Sequence, residues 1–135
     1  MQDRTVLIVG ASPGLELALD GLAALALPVR LIPTAGEALR ILERSREPNV
    51  RAVLVDLRRD GERALEVIRA VRRLPPPLAP PVAVWGSGPT EVGRAYEAGA
   101  TSGVVLEPSA EEAVRLAAVV YYWAVANEPP PHPLA

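Results

Sequence analysis

The 135-residue chain contains no cysteine, no phenylalanine and a single histidine. Without cysteine it can form no disulfide and no thiolate metal site, and the lone His132 has no second histidine or cysteine to complete a metal site. No apolar run approaches the roughly 20 residues that a membrane-spanning helix needs. All 14 basic residues are arginine, so no side chain can supply a lysine ammonium group.

The composition that is present indicates one folded domain. Half of the residues are apolar, and the length suits a single core. A net charge of −2 gives no general electrostatic reason to bind nucleic acid or an anionic membrane. No N-terminal segment resembles a secretion signal, so we expect a soluble, cytoplasmic protein. We predict one domain over residues 1–126, and a proline-rich tail or linker start over residues 127–135.

Strand and helix patterns alternate along this domain. Short apolar runs predict strands at 5–9, 28–32, 50–55, 82–85 and 103–106. Helical patterns follow them at 15–25, 34–46, 62–74, 90–98 and from about 109 to 126, and Thr34 with Glu37 forms a capping box. Strict alternation predicts a parallel sheet with helices on both faces, which is a three-layer α/β sandwich.

Asp56 is the first candidate for a functional group, because it ends the most apolar of these strands. In open α/β sheets, ligand chemistry sits just beyond the carboxyl ends of the strands. The alternative is structural, with the Asp56 side chain capping its loop or pairing with Arg58 or Arg59. Position alone does not separate the two interpretations.

Several motifs, in order, resemble those of response-regulator receiver domains over about residues 4–126. Residues 56–61 and the helix after them are similar to the stretch around the family's phosphorylated aspartate. Residues 34–39 resemble the entry to its second helix, and residues 98–100 and 107–108 fall where receivers carry Gly-Ala and Lys-Pro on either side of strand five. The resemblance implies a flavodoxin-like (βα)5 fold with the sheet order 2-1-3-4-5, and a cis peptide bond between Glu107 and Pro108.

Most of the family's phosphotransfer residues are missing at the aligned positions. The departures are Gly10 and Ala11 for two acidic residues that help hold magnesium, Gly86 for a Thr or Ser, Val104 for a switch aromatic, and Glu107 for a lysine. A one-residue slip in the alignment would bring Ser87 to the Thr or Ser position. Phosphoryl transfer depends on cations that neutralise the phosphoryl oxygens, and both expected cations are absent. We therefore interpret Asp56 as a vestigial phosphoacceptor, with no catalytic residue, metal or cofactor.

Glu107 should point toward Asp56, and two nearby carboxylates oppose each other's ionisation. We expect an arginine, Arg58 or Arg59, or plain solvent exposure to relieve this repulsion. A divalent ion held by Asp56 and Glu107 is the sharper alternative.

The turn at residues 10–14 supports a different class of function. Its sequence G-A-S-P-G follows a strand and opens a helix, as a dinucleotide-binding fingerprint does, and it is similar to the Gly-rich turn of short-chain dehydrogenases. Glu16 stands at the third glycine position, however, and the second strand ends without an acidic ribose partner. A tight strand-to-helix turn is the simpler interpretation, and a small-ligand or nucleotide site is the alternative.

All five aromatic residues lie at or after residue 85. The run 116–126 shows no polar face, so something other than its own sheet must cover part of that helix. Receivers usually pair through helix four, strand five and helix five. We therefore expect protein contacts at Tyr96, Tyr121, Tyr122 and Trp123, made by a partner protein or a second copy in a homodimer. The alternative cover is the proline-rich tail.

Together these patterns predict a pseudo-receiver that acts by phosphorylation-independent protein contact in bacterial signal transduction or gene regulation. We do not expect an enzyme, or direct binding to nucleic acid or membranes. Two alternatives stay open: a small-ligand or nucleotide-binding module that uses the Gly10–Gly14 turn, and an orthodox receiver phosphorylated on Asp56.

Overall fold

The computed structural model describes residues 5–10, 15, 19–20, 23–24, 28–44, 50–58, 61–74, 79–106 and 111–126, with backbone only at 44, 121 and 124–126. The strands are β1 (Thr5–Val9), β2 (Val29–Ile32), β3 (Val50–Asp56), β4 (Val82–Gly86) and β5 (Ser102–Val105). Helical residues at 15, 19–20 and 23–24 are labelled α1. The other helices are α2 (Ala35–Arg44), α3 (Gly61–Arg72), α4 (Pro89–Ala98) and α5 (Glu112–Ala126).

The five strands form one parallel sheet in the order β2-β1-β3-β4-β5. This confirms the flavodoxin-like fold and the predicted strand order. All seven residues of β3 are buried, because the strand lies at the centre of the sheet with helices on both faces. Residues 6–9, 53–55 and 82–84, on the three central strands, are all buried.

Alternate residues of the central strands pack into two separate cores, one on each face of the sheet. Val53 and Val55 belong to the cluster that α2, α3 and α4 cover, whereas Ala52 and Leu54 belong to the cluster that includes buried residues of α5. This alternation follows from the two-residue side-chain period of a strand. It places the carboxyl end of β3 between two fully packed layers.

Local interactions determine where α2 begins and where α4 begins and ends. The Thr34 hydroxyl accepts a hydrogen bond of 3.2 Å from the Glu37 amide, as the capping box predicts. Helix α4 begins at Pro89 and is followed by Gly99, whose φ of 118° lies in the left-handed region that favours glycine. The Arg72 Nε atom donates to the Gly99 carbonyl at 2.6 Å, which ties the end of α3 to that turn.

Several sequence-based expectations fall outside the described residues. They concern the Glu107–Pro108 peptide bond, most of the 10–14 turn, and the tail at 127–135. Helix α5 is described from Glu112 onward, later than the start at about residue 109 that the sequence suggested. Within the described part of the chain, no helix is long and apolar enough to cross a membrane.

Candidate functional site

Asp56 is the last residue of β3 and is held there by pairing with β4. It lies in register with Trp85 of β4, and the next amide, Leu57 N–H, donates to the Trp85 carbonyl at 2.9 Å. Only 1% of the Asp56 side chain is exposed. A buried carboxylate needs charge compensation and hydrogen-bond donors, so the groups around it decide what the site can do.

Arg58 supplies those donors. Its backbone N–H donates to Asp56 Oδ1 at 2.9 Å, which closes a short Asx-type turn. Its guanidinium then binds both carboxylate oxygens, with Nε 3.0 Å from Oδ1 and Nη2 3.2 Å from Oδ2. Paired, charge-assisted hydrogen bonds of this kind are the strong ones in proteins. Asp56 therefore forms the ion pair with Arg58 that the structural interpretation of the sequence predicted.

The same guanidinium reaches a second carboxylate. Arg58 Nη1 forms an ion pair with Glu112, in the first turn of α5. One arginine thus neutralises two carboxylates from two different elements, with only 14% of its own side chain exposed. Arg58, one of the two arginines named from the sequence, thus lies against Asp56, with Glu112 as the second acid. Glu107, the acid named from the sequence, lies outside the described residues.

Gly10 lies so close to Asp56 that an acidic side chain has no room there. A Cβ atom built on Gly10 would lie 2.9 Å from Asp56 Cβ and 3.5 Å from Asp56 Oδ2. Contacts under about 3 Å force some atoms to shift, so glycine is needed for this close approach. The close packing of Gly10 against Asp56 therefore excludes an acidic side chain at position 10. Ala11, the second position of that pair, is beyond the described residues.

The loop after β4 is closed by a carboxylate rather than by a hydroxyl group. Glu91 Oε1 accepts a hydrogen bond of 2.7 Å from the Ser87 amide. A Cβ atom on Gly86 would lie 3.1 Å from Glu91 Cβ and 3.3 Å from its Oε1 atom, so Glu91 covers Gly86 tightly. Ser87, the residue that a one-position slip would bring to the site, is exposed.

The position of the switch aromatic is filled differently. Val104 is half-buried and pairs in register with Trp85, and both side chains belong to the core layer on the α5 side of the sheet. Trp85 is completely buried, and its Nε1 atom has no hydrogen-bond partner among the described residues. A large ring at this level of the layer therefore comes from β4, one residue before the strand ends, and the sequence alone did not predict that role.

The predicted contact residues divide between surface and core. Tyr96 and Tyr122 are 48% and 67% exposed, and Val105 and Val114 are also exposed apolar side chains on β5 and α5. Trp123, by contrast, is 6% exposed and packs in the core with Leu116 and Val120, so its expected place at an interface is wrong. Only the backbone of Tyr121 is described. We call Tyr96, Val105, Val114 and Tyr122 the outer patch.

Among the described residues, no group of three or more His, Cys, Asp or Glu side chains could hold a metal ion. The two acids that do come together, Asp56 and Glu112, are bridged by the Arg58 cation. A divalent ion would compete with that guanidinium for the carboxylate oxygens. The charges of both carboxylates are therefore already compensated by one arginine.

Comparison with known proteins identifies the fold. No protein-family model and no curated protein matches the chain. Among solved structures, it is similar to the bacteriophytochrome response regulator RtBRR, with 29% identity and a TM-score of 0.62, covering 96% of this chain and 86% of that one. It is also similar to the phosphorylated cyanobacterial phytochrome response regulator RcpA, with 16% identity and a TM-score of 0.73, covering 95% and 98%.

A third solved structure is the receiver domain of the sensor histidine kinase PA1611 from Pseudomonas aeruginosa, with magnesium coordinated in its active-site cleft. The identity is 19% and the TM-score 0.62, covering 92% of this chain and 99% of that one. The chain has the receiver-domain fold of response regulators. Identities this low show a shared fold only. The function of this chain therefore has to be inferred from the residues of its own Asp56 site.

Proposed function

We propose that the chain is a pseudo-receiver, a cytoplasmic signalling domain that works by protein contact and is not switched by phosphorylation of Asp56. It would serve a bacterial signal-transduction or gene-regulatory system, without catalytic activity of its own. The observation that carries the proposal is the Arg58 guanidinium bound across both oxygens of the buried Asp56 carboxylate.

Phosphorylation of an aspartate needs a carboxylate oxygen that can attack phosphorus, and cations that neutralise the transferred group. In this chain both Asp56 oxygens already accept hydrogen bonds from Arg58. Magnesium prefers a near-octahedral set of oxygen ligands, and Gly10 contributes no carboxylate to one. The PA1611 receiver domain holds magnesium in its cleft, and the RcpA structure is phosphorylated. Here the Arg58 cation, rather than a metal ion, compensates the charge of the Asp56 carboxylate.

The decisive experiment is intact-mass measurement after incubation with acetyl phosphate and magnesium. We expect the wild-type mass to stay unchanged, under conditions in which an orthodox receiver domain gains one phosphoryl group. A gain of one phosphoryl group by the wild type, abolished in Asp56→Asn, would overturn the proposal and restore the orthodox receiver. A gain that survives Asp56→Asn would reflect another residue and leave the proposal standing.

The contact surface we assign to this function is the outer patch on α4, β5 and α5. Its members are exposed apolar or aromatic side chains, and tyrosine suits protein contacts because it buries a large ring while its hydroxyl group remains hydrated. The patch would bind a protein partner or a second copy of the chain. We assign no direct contact with nucleic acid or membrane to it.

A further inference from the structure

Strand β2 has one open edge, because it pairs with β1 on one side and lies at the end of the sheet. The Pro28 carbonyl accepts a hydrogen bond of 3.0 Å from the Val6 amide of β1, and the Ile32 carbonyl accepts one from the residue after β1. Successive residues of a strand direct their backbone groups to opposite sides. The N–H and C=O groups of Val29 and Leu31 therefore point away from β1, toward the open edge.

These outward backbone groups form a short template for another strand. In the part of the chain that the structure describes, they have no hydrogen-bond partner on another element. Pro28 and Pro33 stand at the two ends of β2, and Pro33 has no N–H group with which to extend a ladder. An edge this short resists sheet-to-sheet aggregation, yet it can pair with a few residues of an extended chain.

An open pocket lies beside this edge, on the face of the sheet that α2 covers. It has a volume of about 320 Å³ and is lined by Arg30 of β2 and by Glu37, Arg40 and Ile41 of α2. Both arginines are exposed, and neither forms an ion pair with a described residue. Ile41 is half-buried and supplies an apolar wall. With two arginines and one glutamate, the pocket carries an excess of positive charge next to an apolar surface.

We propose that the open edge of β2 binds an extended, acidic peptide segment of a partner protein. The segment pairs with the outward backbone groups of β2 and places a glutamate or aspartate beside Arg30, because neighbouring strands lie about 4.8 Å apart and side chains on one face meet across them. Arg40 adds its positive charge from α2, and Ile41 contacts the methylene groups of the acidic side chain. This site goes beyond the proposed function, since it uses neither the Asp56 carboxylate nor the outer patch.

Charge disfavours a second copy of the chain as the occupant of this edge. A two-fold antiparallel pairing that uses the outward groups of both Val29 and Leu31 sets Arg30 directly opposite the same arginine of the other copy. Like charges directly opposite each other destabilise a strand pair. An acidic segment replaces that repulsion by attraction, so the charge of the edge selects an acidic partner.

The test is an NMR titration of the isotope-labelled 135-residue chain with the peptide acetyl-Thr-Glu-Val-Glu-Thr-amide, without phosphodonor. In an extended peptide both glutamates share one face, so one of them meets Arg30 in either direction of pairing. We expect the amide signals of Val29 and Leu31 to shift and to saturate. Arg30→Gln should weaken binding at least about threefold, because an opposite-charge pair across strands is lost. The matched control, Arg73→Gln, neutralises an exposed arginine just after α3 and should leave the affinity unchanged.

Two altered peptides test the charge and the strand pairing separately. A peptide with glutamine in place of both glutamates should bind at least about threefold more weakly, since the opposite-charge pair is lost. A peptide N-methylated at every residue has no backbone N–H to donate and should cause no shift at Val29 and Leu31. Equal binding of either altered peptide overturns the proposal.

Three other results would also overturn it: no shift at Val29 and Leu31, equal weakening by both arginine variants, or shifts at these amides that grow with protein concentration alone. The last result would make a second copy the occupant of the edge. Because the titration involves no phosphorylation, its outcome is independent of the mass test of Asp56, and the two proposals can fail separately.

Discussion

At the scale of single residues, the Asp56 carboxylate depends on Arg58 more than on any other described side chain. The carboxylate is almost completely buried, and three of its hydrogen bonds come from that one residue. Removal of one partner of a buried ion pair leaves the other charge uncompensated. We therefore expect Arg58→Ala to lower the free energy of unfolding by about 3 kcal/mol, measured by urea denaturation.

The control for this prediction is an exposed ion pair. Arg115→Ala removes the Arg115–Glu111 pair, which lies at the surface of α5, and should change the free energy of unfolding by less than about 1 kcal/mol. Addition of Asp56→Asn to Arg58→Ala should recover at least about 1 kcal/mol, because the buried charge is then gone. Equal unfolding midpoints for Arg58→Ala and wild type would contradict the idea that Asp56 depends on the arginine.

Replacement of glycine by alanine should have opposite effects at the Asp56 site and on the exposed surface of α4. Gly10→Ala would bring a Cβ atom to 2.9 Å from Asp56 Cβ, whereas a Cβ atom on Gly93, in the exposed middle of α4, meets nothing within 4 Å. We expect Gly10→Ala to destabilise the chain by about 1–3 kcal/mol through overpacking. Gly93→Ala should stabilise it by about 0.5–1 kcal/mol, since alanine favours the helix. Thermal unfolding of the two variants, with midpoints shifted in opposite directions, checks both.

At the scale of elements, helix α5 has a core side and an outer side within consecutive residues. Trp123 packs in the core, while Tyr122 is two-thirds exposed. We expect Trp123→Ala to lower the free energy of unfolding by about 3–5 kcal/mol, and Tyr122→Ala by no more than about 0.5 kcal/mol, in dilute monomeric protein. Similar losses for both would mean that Tyr122 is covered in solution.

The strands were the most predictable elements. Valine-rich runs such as 50–55 and 82–85 have few alternatives to a buried parallel strand, and the structure extends each by only one residue, to Asp56 and to Gly86. Helix α5 was less predictable. Its apolar sequence lacks the periodicity that tells which side faces the core, so the opposite exposures of Tyr122 and Trp123 could not be assigned from the pattern.

At the scale of the whole molecule, the position of the site was predictable and its contents were only partly so. The alternation of strands and helices placed Asp56 at the carboxyl edge of a parallel sheet, where the structure has it. An arginine partner was also predictable, because Arg58 is two residues away. Glu112 was not, since that contact depends on how α5 docks against the sheet.

The last prediction concerns assembly of the whole chain. The outer patch exposes two tyrosines and two valines on α4, β5 and α5, and a stable dimer buries about 800 Å² on each partner. A two-fold dimer would use the same patch on both copies. We expect sedimentation velocity over a concentration series to show reversible self-association in the wild type. Tyr122→Glu and Tyr96→Glu should shift the equilibrium toward monomer, because each would place a charge in the interface.

The matched control for assembly is Arg40→Glu. It reverses the charge of an exposed residue on α2, which is not part of the outer patch. It should leave the association unchanged, which separates a specific contact from a general effect of net charge. If the wild type remains a monomer at every concentration, the second copy is ruled out as the occupant of the patch. The patch would then belong to a different protein, and tyrosine-to-glutamate variants should be tested for loss of that partner instead.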